Sequence, residues 1–337
     1  MLHTMRERNQ LSEGKLPTQV LSKLLKSTSH APGVIIGAEA GEDAAVVKGE
    51  ETLIITADPI TFTEENIGTY TVAVNCNDIV AMGGKPLYLT TTILLPPGTT
   101  KKRLETIFKE IKNASRKAGL YWVGGHTEVS SAVNRIIVSA QAVGFLNKEP
   151  TTTAGANPED LLVMTKWVGL EGTTLIARDR PEESLKVLGK EAFREVLAWI
   201  EQPGISILQE GEILKNFPLS AAHDPTEGGV ATGIHEIASR SKVGVRIFWD
   251  KLPLREETAL LCEYFGLDPL GILSSGVFLF TIKADQAQAS CRTLAASGIP
   301  ASIIGEITRH RAKVLLEKNG RQSALPFFAQ DEVIKLN

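Results

Sequence analysis

The sequence predicts a two-domain protein, an N-terminal α/β domain followed by an α+β domain. Three observations carry this. Short β-rich runs alternate with helix-spaced segments over the first 147 residues. A polar, turn-rich stretch, NKEPTTTAGANPED at 147–160, breaks the pattern and reads as a linker. A second set of strands and helices follows, and 337 residues are enough to give each set its own core.

Residues 1–30 read as an N-terminal arm and helix, since LPTQVLSKLLKS (16–27) puts Val20, Leu21, Leu24 and Leu25 on one helical face. The first domain, 31–150, opens with strands expected at 44–48 and 52–57. A helix over 68–83 is stopped by Gly83, Gly84 and Pro86. LYLTTTILLP (87–96) is a strand closed by Pro-Pro-Gly, and its alternating threonine face suits a second sheet or an interface. Residues 100–118 form an amphipathic helix rich in Lys and Glu. YWVGG (121–125) reads as a short buried strand and 135–146 as another. The second domain, 151–337, is expected to hold a strand at 161–169 and helices at 169–180, 181–201 and 204–215. HDPTEGGVATGIHEIASRS then gives a turn and a helix. Strands at 244–250, 276–282 and 302–308 alternate with helices at 254–265 and 284–297.

Composition narrows the function classes. Apolar residues are 43% and charged residues 22%, as in an ordinary globular protein. The net charge of -3 and the absence of a basic block argue against nucleic acid, and aromatic residues for base stacking are only 6%. No apolar run is long enough to span a bilayer, and the polar start MLHTMRERNQLSEGK has no signal-peptide core. Cys76, Cys262 and Cys291 are too scattered for a zinc site or a disulfide framework, so a reducing cytoplasm is expected. Cys76 lies in a helical stretch and is expected in the core.

Four segments carry the candidate chemistry: GEDAAVV (41–47), ITADPIT (55–61), NCNDIVAMGGKP (75–86) and HDPTEGGVATGIHEIA (223–238). Each sets an Asp beside turn-forming residues and an apolar run, placing Asp43, Asp58, Asp78 and Asp224 near element ends. Any one of them is explained by turn formation or helix capping. Together, carboxylates gathered from separate element ends suit a hard cation such as Mg2+, which in turn suits nucleotide phosphates. VGGHTEV (123–129) offers two glycines, then a donor, a hydroxyl and a carboxylate. Gly228 and Gly229 precede a clean helix whose first N–H groups could meet an anion. No P-loop, dinucleotide-binding glycine pattern, GxSxG or HExxH is present.

The order GEDAAVV, TADPIT, NDIVAMGGKP, GGHTEV, DPTEGGVATGIHEIA resembles the aminoimidazole ribonucleotide synthetase (PurM-like) superfamily, over roughly residues 14–310. DPTEGGVATGIHEIA and GILSSG (271–276) are most similar to the hydrogenase maturation branch, HypE, whereas GGHT is shared in kind with selenophosphate synthetases. The resemblance implies a ferredoxin-like α/β N-terminal domain and a C-terminal α+β sandwich. It implies a homodimer joined through N-terminal domains, ATP in the cleft near that joint, and phosphorylation of an oxygen or a selenide. By position, Asp43, Asp58, Asp78 and Asp224 match Mg2+ carboxylates. Glu42, Asn77, Gly124, Gly125, Thr127, Glu128, Thr226, Gly228 and Gly229 match nucleotide-contacting positions, and His126 and Lys15 match catalytic ones, Lys15 as a lysine closing over the phosphates.

Departures from the family pattern shape the expected reaction. The sequence ends DEVIKLN, without the terminal cysteine on which HypE dehydrates a thiocarboxamide, so that chemistry is not expected in its usual form. Residues 1–20 hold no cysteine, which argues against selenide chemistry. The leading expectation is a HypE-like, ATP- and Mg2+-dependent enzyme, phosphoryl-transferring or dehydrating, that activates an amide or carboxyl oxygen, with a maturation partner protein. A kinase of the thiamine-monophosphate type and a nucleotide-binding accessory protein without turnover are the alternatives.

Overall fold

The computed structural model describes residues 33–36, 42–310 and 313–336. Lys15 and the helix expected at 16–27 lie outside them. The first half runs β1 (Val34–Ile36), β2 (Ala45–Lys48), β3 (Thr52–Ile60), α1 (Ile67–Ala81), β4 (Lys85–Leu95), α2 (Lys101–Ala118), β5 (Tyr121–Val129) and β6 (Ile137–Leu146). Its six strands form one sheet in the order β1-β2-β3-β6-β4-β5. Every pairing is antiparallel except β4 with β5, which α2 joins as a crossover. The expected α/β domain is therefore α+β, a mostly antiparallel sheet covered by helices.

Local chemistry explains the two helices. Thr100 caps α2 by accepting from the Arg103 N–H at 3.2 Å, and Gly119 closes it in the left-handed conformation behind Arg116 and Lys117. Only Ile107, Ile111 and Ser115 are buried, so α2 is a solvated cover. α1 is buried almost all round. It packs on β3 and β6, and α2 crosses it closely: a Cβ on Gly68 would stand 2.7 Å from the Ile111 backbone nitrogen.

The second half contains β7 (Asp160–Thr165), α3 (Leu170–Asp179), α4 (Pro181–Ala198), α5 (Leu208–Leu214), β8 (Ala221–His223), α6 (Gly229–Ser241), β9 (Gly244–Phe248), α7 (Glu256–Phe265), β10 (Leu279–Lys283), α8 (Ala284–Ala296), β11 (Ala301–Thr308), β12 (Val314–Lys318) and β13 (Arg321–Ala324). Its sheet has the order β13-β12-β9-β11-β7-β10-β8. The expected elements are present, with shorter bounds for 204–215 and 276–282. The sequence reading passed over β1, β8, β12 and β13, all five residues or shorter, too short for a periodic signal.

One further expectation is corrected. YWVGG is not a short buried strand: β5 continues to Val129 as the edge of its sheet, with Tyr121, Val123 and Val129 about 60% exposed (64%, 59% and 63%). Alternation could not reveal this, because β5 carries apolar side chains on a face its own chain leaves bare. The linker stretch at 147–159 is docked on both halves, since Thr151 N–H donates to Met82 O in the first while Thr152 O accepts from Ala222 N–H in the second. The three cysteines are buried, Cys76 fully so. Among the described residues no helix is long and apolar enough to cross a membrane.

Asn77 pins the halves together. From α1 its amide donates to Ile205 O at 2.9 Å and accepts from Ile207 N–H at 3.0 Å. Both backbone groups are orphaned in a dry seam if the side chain is removed. Asn77→Ala is expected to lower stability by about 2–3 kcal/mol, read as a fall in the thermal unfolding midpoint.

Candidate functional site

The four aspartates converge where the halves meet. Asp58 lies on β3, held in place by Asn75 of α1, which accepts from the Asp58 N–H at 3.1 Å and donates to its carbonyl at 3.3 Å. Asp78 sits in the last turn of α1, one turn beyond Asn75, and accepts a very short hydrogen bond from the Thr56 hydroxyl. Asp43 enters just before β2, and its carbonyl accepts from the same hydroxyl at 3.4 Å. Asp224 comes from the other half, just after β8, and is buried. Burial first, and then the charges of Asp224, Asp58 and Asp43 around it, push the Asp78 carboxyl well above the usual carboxylate range, with Asp58 close enough to share its proton.

These residues fit a hard divalent ion. Asp43 Oδ2 is buried and accepts no hydrogen bond, which a positive charge would relieve. Among the described residues no three acidic or imidazole groups already form a complete metal nest. Mg2+ is bound through a few carboxylates and completes its shell with phosphate oxygens and water.

A second layer of charge holds the first. The His223 ring lies between two carboxylates, Nδ1 at 2.8 Å from Asp43 Oδ1 and Nε2 at 2.8 Å from Glu236 Oε2. Burial alone would discharge the imidazole, but Asp43 and Glu236 outweigh it and raise its pKa well above the usual histidine value. One residue earlier in the chain than Asp43, Glu42 Oε1 receives Arg240 Nε at 3.0 Å and Nη2 at 2.6 Å. Glu236 and Arg240 are one turn apart on α6, so that helix grips the GEDAAVV segment through two adjacent ion pairs. Glu42 is thereby committed to the clamp.

The remaining positions divide. Thr226, Gly228 and Gly229 stand beside Asp224 at the start of α6, both glycines at positive φ. A Cβ on Gly229 would meet Leu270 O at 2.4 Å, so that position tolerates only glycine. The Gly228 N–H, expected to face an anion, donates instead to Asp331 Oδ2 at 2.8 Å, from the C-terminal segment. Asn77 spends its amide on the seam. Gly124, Gly125, His126, Thr127 and Glu128 are not brought to the carboxylates. Gly125 and Asp58 share a rung of the sheet through Thr91 and Ala140, so about three strand spacings, roughly 14 Å, separate them. His126 Nε2 instead faces Glu128 Oε2 at 3.1 Å on the exposed edge. Gly125 has a structural reason: a Cβ there would lie 1.9 Å from Thr91 O, where the β4–β5 register shifts. The sequence reading missed His223, Glu236 and Arg240. Their signal was the spacing in HDPTEGGVATGIHEIASR, which puts Glu236 and Arg240 on one face of a helix that begins beside His223 and Asp224.

His223→Ala leaves two buried carboxylates without their cation, and is expected to cost about 3–5 kcal/mol, measured as a loss of thermal and urea stability. Arg240→Ala removes a less buried partner and is expected to cost less.

Comparison with known proteins identifies the family to which this fold belongs. The N-terminal domain model of AIR synthase related proteins matches residues 41–146, and the corresponding C-terminal domain model matches 157–317. A Methanocaldococcus jannaschii protein named for hydrogenase expression/formation is 30% identical over 313 residues, covering 90% of each chain. The carbamoyl dehydratase HypE of Rhizobium leguminosarum bv. viciae is 28% identical over 271 residues, covering 76% of this chain and 73% of the relative. A solved structure of the hydrogenase maturation protein HypE in complex with ATP shares the fold, with a TM-score of 0.70, 24% identity, and coverage of 87% of this chain and 90% of that one. With two family models spanning most of its length and that archaeal relative along nearly all of it, the chain belongs to the AIR synthase related, PurM-like family.

Proposed function

We propose that this chain is a HypE-like enzyme that uses ATP to phosphorylate, and so activate toward dehydration, the oxygen of an amide or carboxyl group on a small molecule or a protein, in the maturation of a metalloenzyme such as a hydrogenase. The observation that carries this reading is the convergence of Asp43, Asp58 and Asp78 from one half with Asp224 from the other. The names of the relatives support it: one is a carbamoyl dehydratase, another is named for hydrogenase expression and formation. The solved complex of HypE with ATP supports ATP as the phosphoryl donor.

In this reading Asp43, Asp58, Asp78 and Asp224 hold Mg2+, which when bound offsets phosphate charge and aligns an in-line transfer. Thr56 and Asn75 orient Asp78 and Asp58, and the His223–Glu236 pair orients Asp43. Thr226 and Gly229 present the start of α6 to the phosphates, and Gly228, its N–H held by Asp331, shapes the turn that leads there. Lys15 and His126, with Gly124, Gly125, Thr127 and Glu128, act from outside this cluster, an assignment that rests on the family resemblance.

We assign β5 as the joint of a homodimer. An edge strand with free backbone groups and exposed Tyr121, Val123 and Val129 is an invitation to pair. A second copy covers that face and places segment 124–128 within the assembly. The buried, unpaired cysteines suit a cytoplasmic setting, where a maturation partner protein presents the acceptor.

Two measurements test this. Isothermal titration of Mg-ATP is expected to show binding that Asp43→Asn and Asp224→Asn each weaken by about 10–100-fold. Wild-type affinity in both variants would sink the carboxylate assignment. Light scattering is expected to give a dimer for the native chain and a monomer for Val123→Lys, while a native monomer at working concentration removes the joint.

A further inference from the structure

A second buried polar cluster lies beside the carboxylates, built on the same elements. Tyr70 is on α1, eight residues and about 12 Å along the helix from Asp78. Glu227 follows Asp224 in the loop before α6. Between Tyr70 and Glu227 lies Glu171, in the first turn of α3. Gly169 and Gly172, flanking Glu171, bond to Ser274 Oγ and Leu273 O, and Ser274 N–H reaches Thr226 O, so the start of α3 and the Asp224–Gly228 loop share one wall.

The polar groups of this cluster are incompletely used. Ser275 faces the Glu171 carboxylate with its hydroxyl and backbone N–H, yet Glu171 Oε2 accepts nothing. Tyr70, 1% exposed, sets its hydroxyl beside the Arg178 guanidinium, and neither that hydroxyl nor Arg178 Nη1 makes a hydrogen bond of normal geometry. An unbonded acceptor atom and a loosely paired hydroxyl and guanidinium, all buried within one seam, form a complement for a small group that carries both an N–H or O–H and an oxygen.

We propose that Glu171 is the proton acceptor of the phosphoryl-transfer step and that Tyr70 and Arg178 orient the acceptor group against it; this rests on the ATP-dependent reading above. The acceptor oxygen forms its bond to the γ-phosphorus as the bond from that phosphorus to the bridging oxygen breaks. The electron pair leaves with ADP, and the proton of the acceptor N–H or O–H moves to Glu171 Oε2. Water serves as acceptor when nothing else is bound. The surroundings favour this uptake. Burial first, and Glu227 in addition, raise the Glu171 carboxyl to about 7, against the lowering by Ser275, so it is poised near neutral pH. Asp331, from the C-terminal segment, adds a nearby negative charge, while Tyr70 faces Glu171 from α1 with Arg178 of α3 beside the tyrosine.

The test uses the full chain with Mg-ATP and water as acceptor, following ADP release from roughly pH 5.5 to 9, with nucleotide affinity by isothermal titration and thermal unfolding for each variant. The wild-type rate is expected to rise with pH through an apparent value of about 7. Glu171→Gln is expected to lose that limb and about 100-fold in rate, with Mg-ATP affinity held within about twofold. Tyr70→Phe keeps the limb and loses about tenfold in rate. Glu171→Gln, or Tyr70→Phe, with wild-type rate overturns the assignment and leaves ATP use standing. A wild type that binds Mg-ATP but releases no ADP at any pH also overturns it. A wild type that binds no Mg-ATP overturns both readings together.

Discussion

The imidazolium of His223 is the contact on which the rest of the site depends. Four aspartates gathered in a dry seam repel one another, and repulsion between like charges grows as water is excluded. Left alone, that repulsion would part the halves of the molecule. His223 sits at the back of the cluster with a carboxylate on each ring nitrogen, and Arg240 repeats the pattern one turn along α6 with Glu42. Positive charge is thus built in on the far side of Asp43, away from Asp58 and Asp78. A buried pair of this kind contributes little net stability compared with apolar packing, but removing one member is costly. Its value is geometric, since it fixes where the GEDAAVV segment lies and therefore where Asp43 points.

The frame around the clamp is stiff for reasons of packing. α1 carries Tyr70, Asn75, Asn77 and Asp78, and touches both halves along most of its surface. A helix buried on all sides cannot rotate to relieve repulsion at one end, because each side chain is set in a close-packed wall. Asn77 and Asn75, two residues apart on that helix, divide the labour. The first ties α1 to the second half, and the second ties it to β3. The separation of Asp58 from Asp78 is then set by backbone contacts and not by the carboxylates themselves.

Much of this was legible in the residues. The acidic segments stood out because Asp beside Gly, Thr or Pro ends an apolar run, and their number exceeded what turns require. The helices were legible because α2, α7 and α8 are amphipathic, and α1 ended in Gly-Gly-Lys-Pro. Other features depend on contacts distant in the chain. Asn77 lies next to a metal-type Asp and looked like a ligand, but its amide is spent 128 and 130 residues away. Segment 124–128 looked like a phosphate loop because Gly-Gly is read first as close approach to a ligand. In one chain its tightest approach is to the Thr91 backbone, on an edge strand whose apolar side chains mimic a buried one. Gly228 looked open to an anion, and only the fold shows the Asp331 carboxylate on its N–H. Glu171 gave no signal, because an acidic residue in the first turn of a helix is ordinary dipole chemistry.

The two buried acids of the seam, Asp78 and Glu171, are both pushed above the usual carboxylate range, but for different reasons, and this divides their roles. Asp78 is surrounded by further carboxylates, so whatever enters must bring positive charge, and a divalent cation brings the most. Glu171 is raised mainly by burial, with Ser275 bonded to its carboxylate and Tyr70 nearby, so it is short of water and not crowded by a ring of carboxylates. A single proton satisfies Glu171 where it would leave the Asp78 cluster still crowded with negative charge. Where two acids in one cleft are tuned by such different surroundings, the usual reading is a division between charge stabilisation and proton transfer. Here Tyr70 and Asp78 share α1, and Asp224 and Glu227 share the loop before α6, so the surroundings of both acids are set by the same two pieces of the frame.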